Sequence, residues 1–248
     1  MAGGENLAAS LAGTRVLADI GHPSQAWVLR PVLSDLTRRG AVVDVVAREK
    51  DALPALLAAF NIPFSVPVSR GRGLPGQIRE FVQRETHIVA KAIRTRPALL
   101  IGSSFHIARA GMLSGGASLV FNEDDAKVVP LIRWLAYPLA SRIVTPRCLS
   151  FEAYGKRHIT YPGSQKLFYL HPNRFRPDES VRKHVGPGRY AICRLSALDA
   201  HHDRNVRGIA IEDILALQRE LADVRLLISS ERPLPEALST HCLHLPPE

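Results

Sequence analysis

Short, wholly apolar runs alternate with amphipathic stretches along most of this chain, and that order limits the fold more than any other feature. Residues 15–20 read as a strand closed by Gly21-His22-Pro23, followed by a helix over 24–39 with Gly40 as its C-terminal stop. Strands follow at 42–46 and, more weakly between prolines, at 64–68, with a helix over 52–60 between them. Ile78, Phe81, Val82, Val89, Ala92 and Ile93 recur at helical spacing, which predicts a long helix over 74–96 with those residues on its buried face. Strands at 99–101, 118–121 and 142–145 enclose helices over 106–113 and 127–140. Strands without polar alternation, each followed by a helix, imply a parallel sheet covered on both faces, a doubly wound α/β domain.

The rhythm breaks over 161–187, rich in proline and glycine, which reads as a connection between domains. A strand at 190–193, a helix over 209–222 and a strand over 224–228 then begin a second α/β domain. The expected organisation is a tail (1–13), a first domain (14–160), the connection (161–187) and a partial second domain (188–248). A half-domain of that size buries about 60% of its unfolded surface. The chain is therefore expected to be partial, with its second region loosely held and catalytically incompetent.

A hydrophobic fraction of 46% is that of a globular chain and excludes intrinsic disorder. No apolar run reaches the roughly 18 residues of a membrane-spanning helix. The first 13 residues are small and polar, unlike a secretory leader. Cys148, Cys193 and Cys242 form no CxxC pair, so a disulfide framework is not expected and a reducing cytoplasm is the default compartment. The net charge of +9 suits anionic partners. The arginines are dispersed and aromatic residues make up 6%, which disfavours a base-stacking nucleic-acid surface. The stretch 128–137 is apolar nearly all round; burial against the sheet is the expected reading, and a helix lying on a membrane surface is the alternative.

In open parallel sheets, ligands bind beyond the carboxyl ends of the strands, where strand order reverses. With the order 3-2-1-4-5, Gly21-His22-Pro23-Ser24 and Gly102-Ser103-Ser104-Phe105-His106 line one crevice, and the next strand adds Asn122-Glu123-Asp124-Asp125. Two histidines, three carboxylates and two helix N-termini suit acid–base work and anion binding. The plainer alternatives are a tight turn with Ser24 as helix cap, a surface or capping His106, and an acidic helix start. No GxGxxG follows the first strand, which disfavours a dinucleotide site, and no GxxxxGK[ST] occurs, which disfavours a P-loop. In the second region Arg194 and Ser196 stand at a strand end, where a guanidinium fork can hold phosphate oxygens. His201, His202 and Asp203 are adjacent, so they cannot all face one ion, and a hydrogen-bonded loop is expected in place of a metal site.

These same segments carry a resemblance. Asp19-Ile20-Gly21-His22-Pro23, Ala47-Arg48-Glu49-Lys50-Asp51, Phe121-Asn122-Glu123-Asp124 and Tyr161-Pro162-Gly163 resemble, in order, signatures of the "domain of unknown function 354" family. Arg194, Ala200-His201-His202-Asp203 and Ser229-Ser230-Glu231 continue the series. That family is similar to GT-B glycosyltransferases and sugar-nucleotide 2-epimerases. The resemblance implies two facing Rossmann-like domains, the second incomplete here, and a nucleotide-diphosphate sugar as donor with an acceptor still to be identified. It implies no tightly bound cofactor or metal. The expected catalytic residues are His22 as general base with Asp124 in reserve. The expected substrate contacts are Gly21, Ser103, Ser104, Asn122, Arg194, Ser196, His202 and Asp203. Glycosyl transfer is the leading expectation; 2-epimerisation and non-catalytic sugar-nucleotide binding are the alternatives.

Overall fold

The computed structural model describes residues 10–69, 71, 73–149, 154–196, 208–221 and 223–245. Two compact units divide between Phe175 and Arg176. The first contains β1 (Arg15–Ile20), α1 (Pro23–Arg38), β2 (Val42–Ala47), α2 (Leu53–Ala59), α3 (Gly73–Thr95) and β3 (Leu99–Gly102). It continues through α4 (Phe105–Ser114), β4 (Ala117–Phe121), α5 (Pro130–Leu135), β5 (Arg142–Pro146), β6 (His158–Tyr161) and α6 (Leu167–Leu170). The six strands pair in parallel in the order β2-β1-β3-β4-β5-β6.

Strand alternation sends successive side chains to opposite faces of this sheet. Val16, Ala18 and Ile20 of β1 pack with Leu29 and Leu33 of α1 and with Leu56 and Leu57 of α2. Leu17 goes the other way, to Ile88 and Ala92 of α3 and Ile107 of α4. Burying one such aliphatic side chain contributes about 1.5–3 kcal/mol, so β1 is held from both sides. At the end of α1, Gly40 has φ +91°, and a Cβ there would lie 3.2 Å from the Cα of Ala12. A residue with a side chain would be strained at this stop.

Four expectations are corrected. The edge strand at 64–68 is reduced to one parallel bridge between Val46 and Ser65. Pro63 and Pro67 remove the donors a longer ladder needs. Conversely, β6 extends the far edge beyond the strands expected from sequence, and α6 folds back onto α1: the Tyr169 ring lies 5.4 Å from Trp27, and Phe168 lies 5.2 Å from Tyr161. Residues 161–175 therefore pack with the first unit, whereas the connection was expected to begin at 161. The helix expected over 127–140 is confined to Pro130–Leu135 and buries none of its residues. Finally, α3 buries Glu80, Arg84, Ile88 and Ala92, while Ile78, Phe81, Val82 and Ile93 are exposed. The helix is turned by its ion pairs, described below.

In the second unit, α7 (Arg182–Val185) precedes β7 (Tyr190–Leu195), α8 (Ile211–Glu220) and β8 (Arg225–Ser230). The two strands are parallel, with Tyr190 opposite Arg225 and Leu195 opposite Ser230. Cys193, Leu195, Ile214, Leu226, Ile228 and Leu238 form its core.

Candidate functional site

The register Asp19 opposite Gly102 brings the ends of β1 and β3 level. They lie close, because a Cβ at Gly102 would stand 2.7 Å from the carbonyl oxygen of Asp19. The turn Gly21-His22 and the pair Ser103-Ser104 consequently leave the sheet side by side. β1 is also the strand from which the chain order runs to β2 on one side and to β3 on the other, the position at which open α/β sheets take ligands.

His22, rather than Ser24, caps α1. Its backbone is extended, Pro23 opens the helix, and the Nδ1 atom accepts the Ser24 N–H at 3.2 Å. Ser24 Oγ lies 2.9 Å from the same nitrogen. Because Nδ1 accepts, the proton of the neutral ring sits on Nε2. In this tautomer Nε2 is a donor, and it could take a proton only if the cap were given up. Gly21 N–H donates to Gln25 Oε1 at 2.7 Å, which closes the turn.

Beneath this turn lies a charged network that reading the sequence did not find. Asp19 is 1% exposed, and Arg84 of α3 is 7% exposed. Arg84 Nη2 pairs with Asp19 Oδ1, and Ser104 Oγ donates to Asp19 Oδ2 at 2.6 Å. The Ser104 hydroxyl, expected to serve substrate, thus spends its proton on the carboxylate. One turn earlier on α3, buried Glu80 accepts from Arg48 and, at 2.9 Å, from Gly71 N–H. Burial would raise the Glu80 carboxyl, but hydrogen bonds from Arg48 and Gly71 and the charges of Arg48 and Arg84 hold it below the usual carboxylate range. The available signals were a lone aspartate in an apolar strand and the spacing of 80, 84, 88 and 92 on one helix face.

His106 is buried, not a surface or capping residue. Its Nδ1 bonds Glu85 Oε2, and its ring lies 4.3 Å from Phe105 and 5.3 Å from Phe81. At the end of β4, buried Asn122 is engaged on both sides of its amide. Nδ2 donates to Tyr137 Oη at 2.7 Å and to the Asp124 carbonyl, while Oδ1 accepts from Glu123 N–H and Asp124 N–H. Asn122 therefore shapes the loop that presents Asp124, which is exposed. Burial pushes the Tyr137 phenol up to about 12, so it stays protonated at neutral pH. Ser103, directly after β3, is half-buried.

In the second unit Arg194, the penultimate residue of β7, has its side chain 64% exposed. It pairs with Glu231 and donates to Ser229 Oγ at 3.3 Å. Ser196 beside it is exposed. His202 and Asp203 lie outside the described residues. Among the described residues no three His, Cys, Asp or Glu side chains are grouped to hold a metal ion, and no helix is long and apolar enough to cross a membrane.

No protein-family model matches the chain, and no curated protein does. Solved structures do. A Staphylococcus aureus MnaA–UDP co-structure superposes with a TM-score of 0.59 at 14% identity, covering 89% of this chain and 64% of that one. UDP-N-acetylglucosamine 2-epimerase from Rickettsia bellii gives 0.63 at 12% identity, covering 94% and 69%. The glycosyltransferase VinC in complex with DTDP gives 0.52 at 14% identity, covering 92% and 70%. The fold is thus GT-B-like, with a Rossmann-type doubly wound first unit, and the chain spans 64% of the length of the first of these structures.

Proposed function

We propose that this chain acts on a nucleotide-diphosphate sugar. The observation that carries the proposal is the level ending of β1 and β3 at the reversal of strand order, with His22 following one strand and Ser103 and Ser104 the other. The fold shared with a UDP co-structure and a DTDP complex supports the substrate class. The family resemblance read from Gly21-His22-Pro23 through Glu231 is proposed on the same footing, as is a cytoplasmic location.

In the leading reading the reaction is glycosyl transfer. Asp124 takes the proton of the acceptor hydroxyl, that oxygen bonds the anomeric carbon, and the diphosphate leaves with the bonding pair. Arg194 and Ser196 stabilise the charge that develops on the leaving diphosphate. The tautomer set by Ser24 gives His22 the role of hydrogen-bond donor, so the base role passes to the carboxylate held in reserve. Gly21 is proposed as a substrate contact through its backbone, since a Cβ there would face Arg84 Nη1 at 3.5 Å and Gln25 Oε1 at 3.7 Å.

The 2-epimerase reading is the second, favoured by the higher TM-score of the 2-epimerase structure, 0.63 against 0.52 for the glycosyltransferase. Product analysis separates them. With donor alone, an epimerase inverts the sugar at carbon two, whereas a transferase changes nothing until an acceptor is added. A donor that binds and is never turned over, with or without acceptors, would leave a binding protein and refute both reactions.

A further inference from the structure

Arg84 spends only part of its guanidinium inside the protein. Nη2 pairs with one oxygen of Asp19, and the other oxygen takes the Ser104 hydroxyl. Among the described residues, Arg84 Nε and Nη1 have no hydrogen-bond partner, although the side chain is only 9% exposed. A donor on a buried charged group is costly to leave unmatched, which sets this side chain apart from the other arginines.

Nη1 faces the turn between β1 and α1. A Cβ at Gly21 would lie 3.5 Å from Arg84 Nη1 and 3.7 Å from Gln25 Oε1. The glycine thus keeps open a gap with a donor on one side and an acceptor on the other. Oε1 is the acceptor end of the Gln25 amide, because it takes the Gly21 N–H at 2.7 Å, and it has a second lone pair to offer. Gly21 does not have a positive φ, so the backbone itself does not require a glycine here. What its missing Cβ provides is access to Arg84 and Gln25.

The charges of this network are already matched. Arg84 is paired with Asp19, and one turn earlier on α3 Glu80 is paired with Arg48. A phosphate oxygen in the gap would add an unbalanced negative charge, and it would accept from Arg84 while having no proton for the Gln25 oxygen. A hydroxyl satisfies both sides: its oxygen accepts from Arg84 Nη1 and its hydrogen goes to Gln25 Oε1. We infer that Gly21, Gln25 and Arg84 form a subsite for a hydroxyl of the sugar, separate from whatever holds the diphosphate. This inference rests on the substrate class proposed above and names the part of the substrate that the β1 turn reads.

Loss of Arg84 strands Asp19 in the interior, so the test leaves that pair in place and changes its surroundings. Calorimetry on the 248-residue chain compares UDP-N-acetylglucosamine with UDP and dTDP-glucose with dTDP. The wild type should bind at least one sugar nucleotide more tightly than the nucleotide alone. The methyl of Gly21→Ala makes only ordinary contacts, so this variant should melt with the wild type and bind the nucleotide alone equally well. Its affinity for the sugar nucleotide should fall about tenfold or more, the equivalent of a hydrogen bond to a charged group. Gln25→Met should lose the same preference, and Gln25→Glu, which keeps an acceptor oxygen, should retain it. A wild type that binds sugar nucleotide and nucleotide equally, or a Gly21→Ala variant that keeps the preference or loses both ligands alike, would overturn the subsite and leave the substrate class standing. A wild type that binds none of the four compounds would overturn the substrate class, and the subsite with it.

Discussion

Arg84 and Asp19, separated by 65 positions in the chain, form an ion pair in the interior of the first unit, directly under the turn that carries His22. With this pair, Glu80 and Arg84 share the buried face of α3 with Ile88 and Ala92, and Ile78, Phe81, Val82 and Ile93 face outward. Removing one partner of a buried pair strands the other, at a cost of about 3–5 kcal/mol. Arg84→Met alone should therefore destabilise strongly in urea unfolding. Combining it with Asp19→Leu should recover much of the loss. Additive single and double effects would show that the two side chains do not depend on each other.

His22 holds two roles that substitution can separate. Asparagine is a strong helix cap, so His22→Asn should melt within a few degrees of the wild type, whereas His22→Ala should lose about 0.5–2 kcal/mol with the cap. Both should lower turnover by about 10²-fold or more if the Nε2–H donates to charge that develops in the reaction. Full turnover in His22→Asn would make His22 a cap and nothing else.

For Arg194 the readout is affinity. Arg194→Ala should weaken a nucleotide-diphosphate sugar by about 1.5–3 kcal/mol, the range of hydrogen bonds to charged groups. Glu231→Gln, which releases the guanidinium from its present partner, should bind at least as tightly as the wild type. An exposed pair of this kind contributes about 0–1 kcal/mol to stability, so both variants should melt near the wild type. Unchanged affinity in calorimetry of Arg194→Ala would remove this residue from the site.

Glu80 makes stability depend on pH. Its folded carboxyl titrates below the ordinary value of 4.5, so its contribution is present above that value and is lost as pH falls through the folded value. Melting temperatures of wild type and Glu80→Gln should differ most at neutral pH and converge as pH falls through the folded value, which lies below 4.5. A gap that persists undiminished in acid would mean that the ion pair with Arg48 is not its source.

β1 to β5 were legible as short, mainly apolar runs, whereas β6, with His158 and Thr160 among its four residues, was not. The rotation of α3 was not legible. Ile78, Phe81, Val82 and Ile93 make a better helical stripe than Glu80, Arg84, Ile88 and Ala92, and only the partners Asp19 and Arg48, distant in sequence, justify burying the second set. The same limit applies to the site. The strand-end positions of Gly21, His22, Ser103 and Ser104 follow from element order alone. The engagement of the Ser104 hydroxyl on Asp19 and of the Asn122 amide on Tyr137 depends on contacts that no local pattern records. Around the short α5, Pro130 opens the helix and Pro138 follows it, and the expectation of one over 127–140 overrode them, while no local pattern records that Leu131 and Trp134 stay exposed.

The central claim is that this chain recognises a nucleotide-diphosphate sugar, and thermal unfolding in the presence of a panel of such sugars tests it most directly. A true ligand at 100 times its dissociation constant adds about 2.7 kcal/mol to the folded state. The account predicts that at least one nucleotide-diphosphate sugar raises the melting temperature of the wild type in proportion to the logarithm of its concentration, and does so less in Arg194→Ala. A panel in which no member shifts the transition would contradict it.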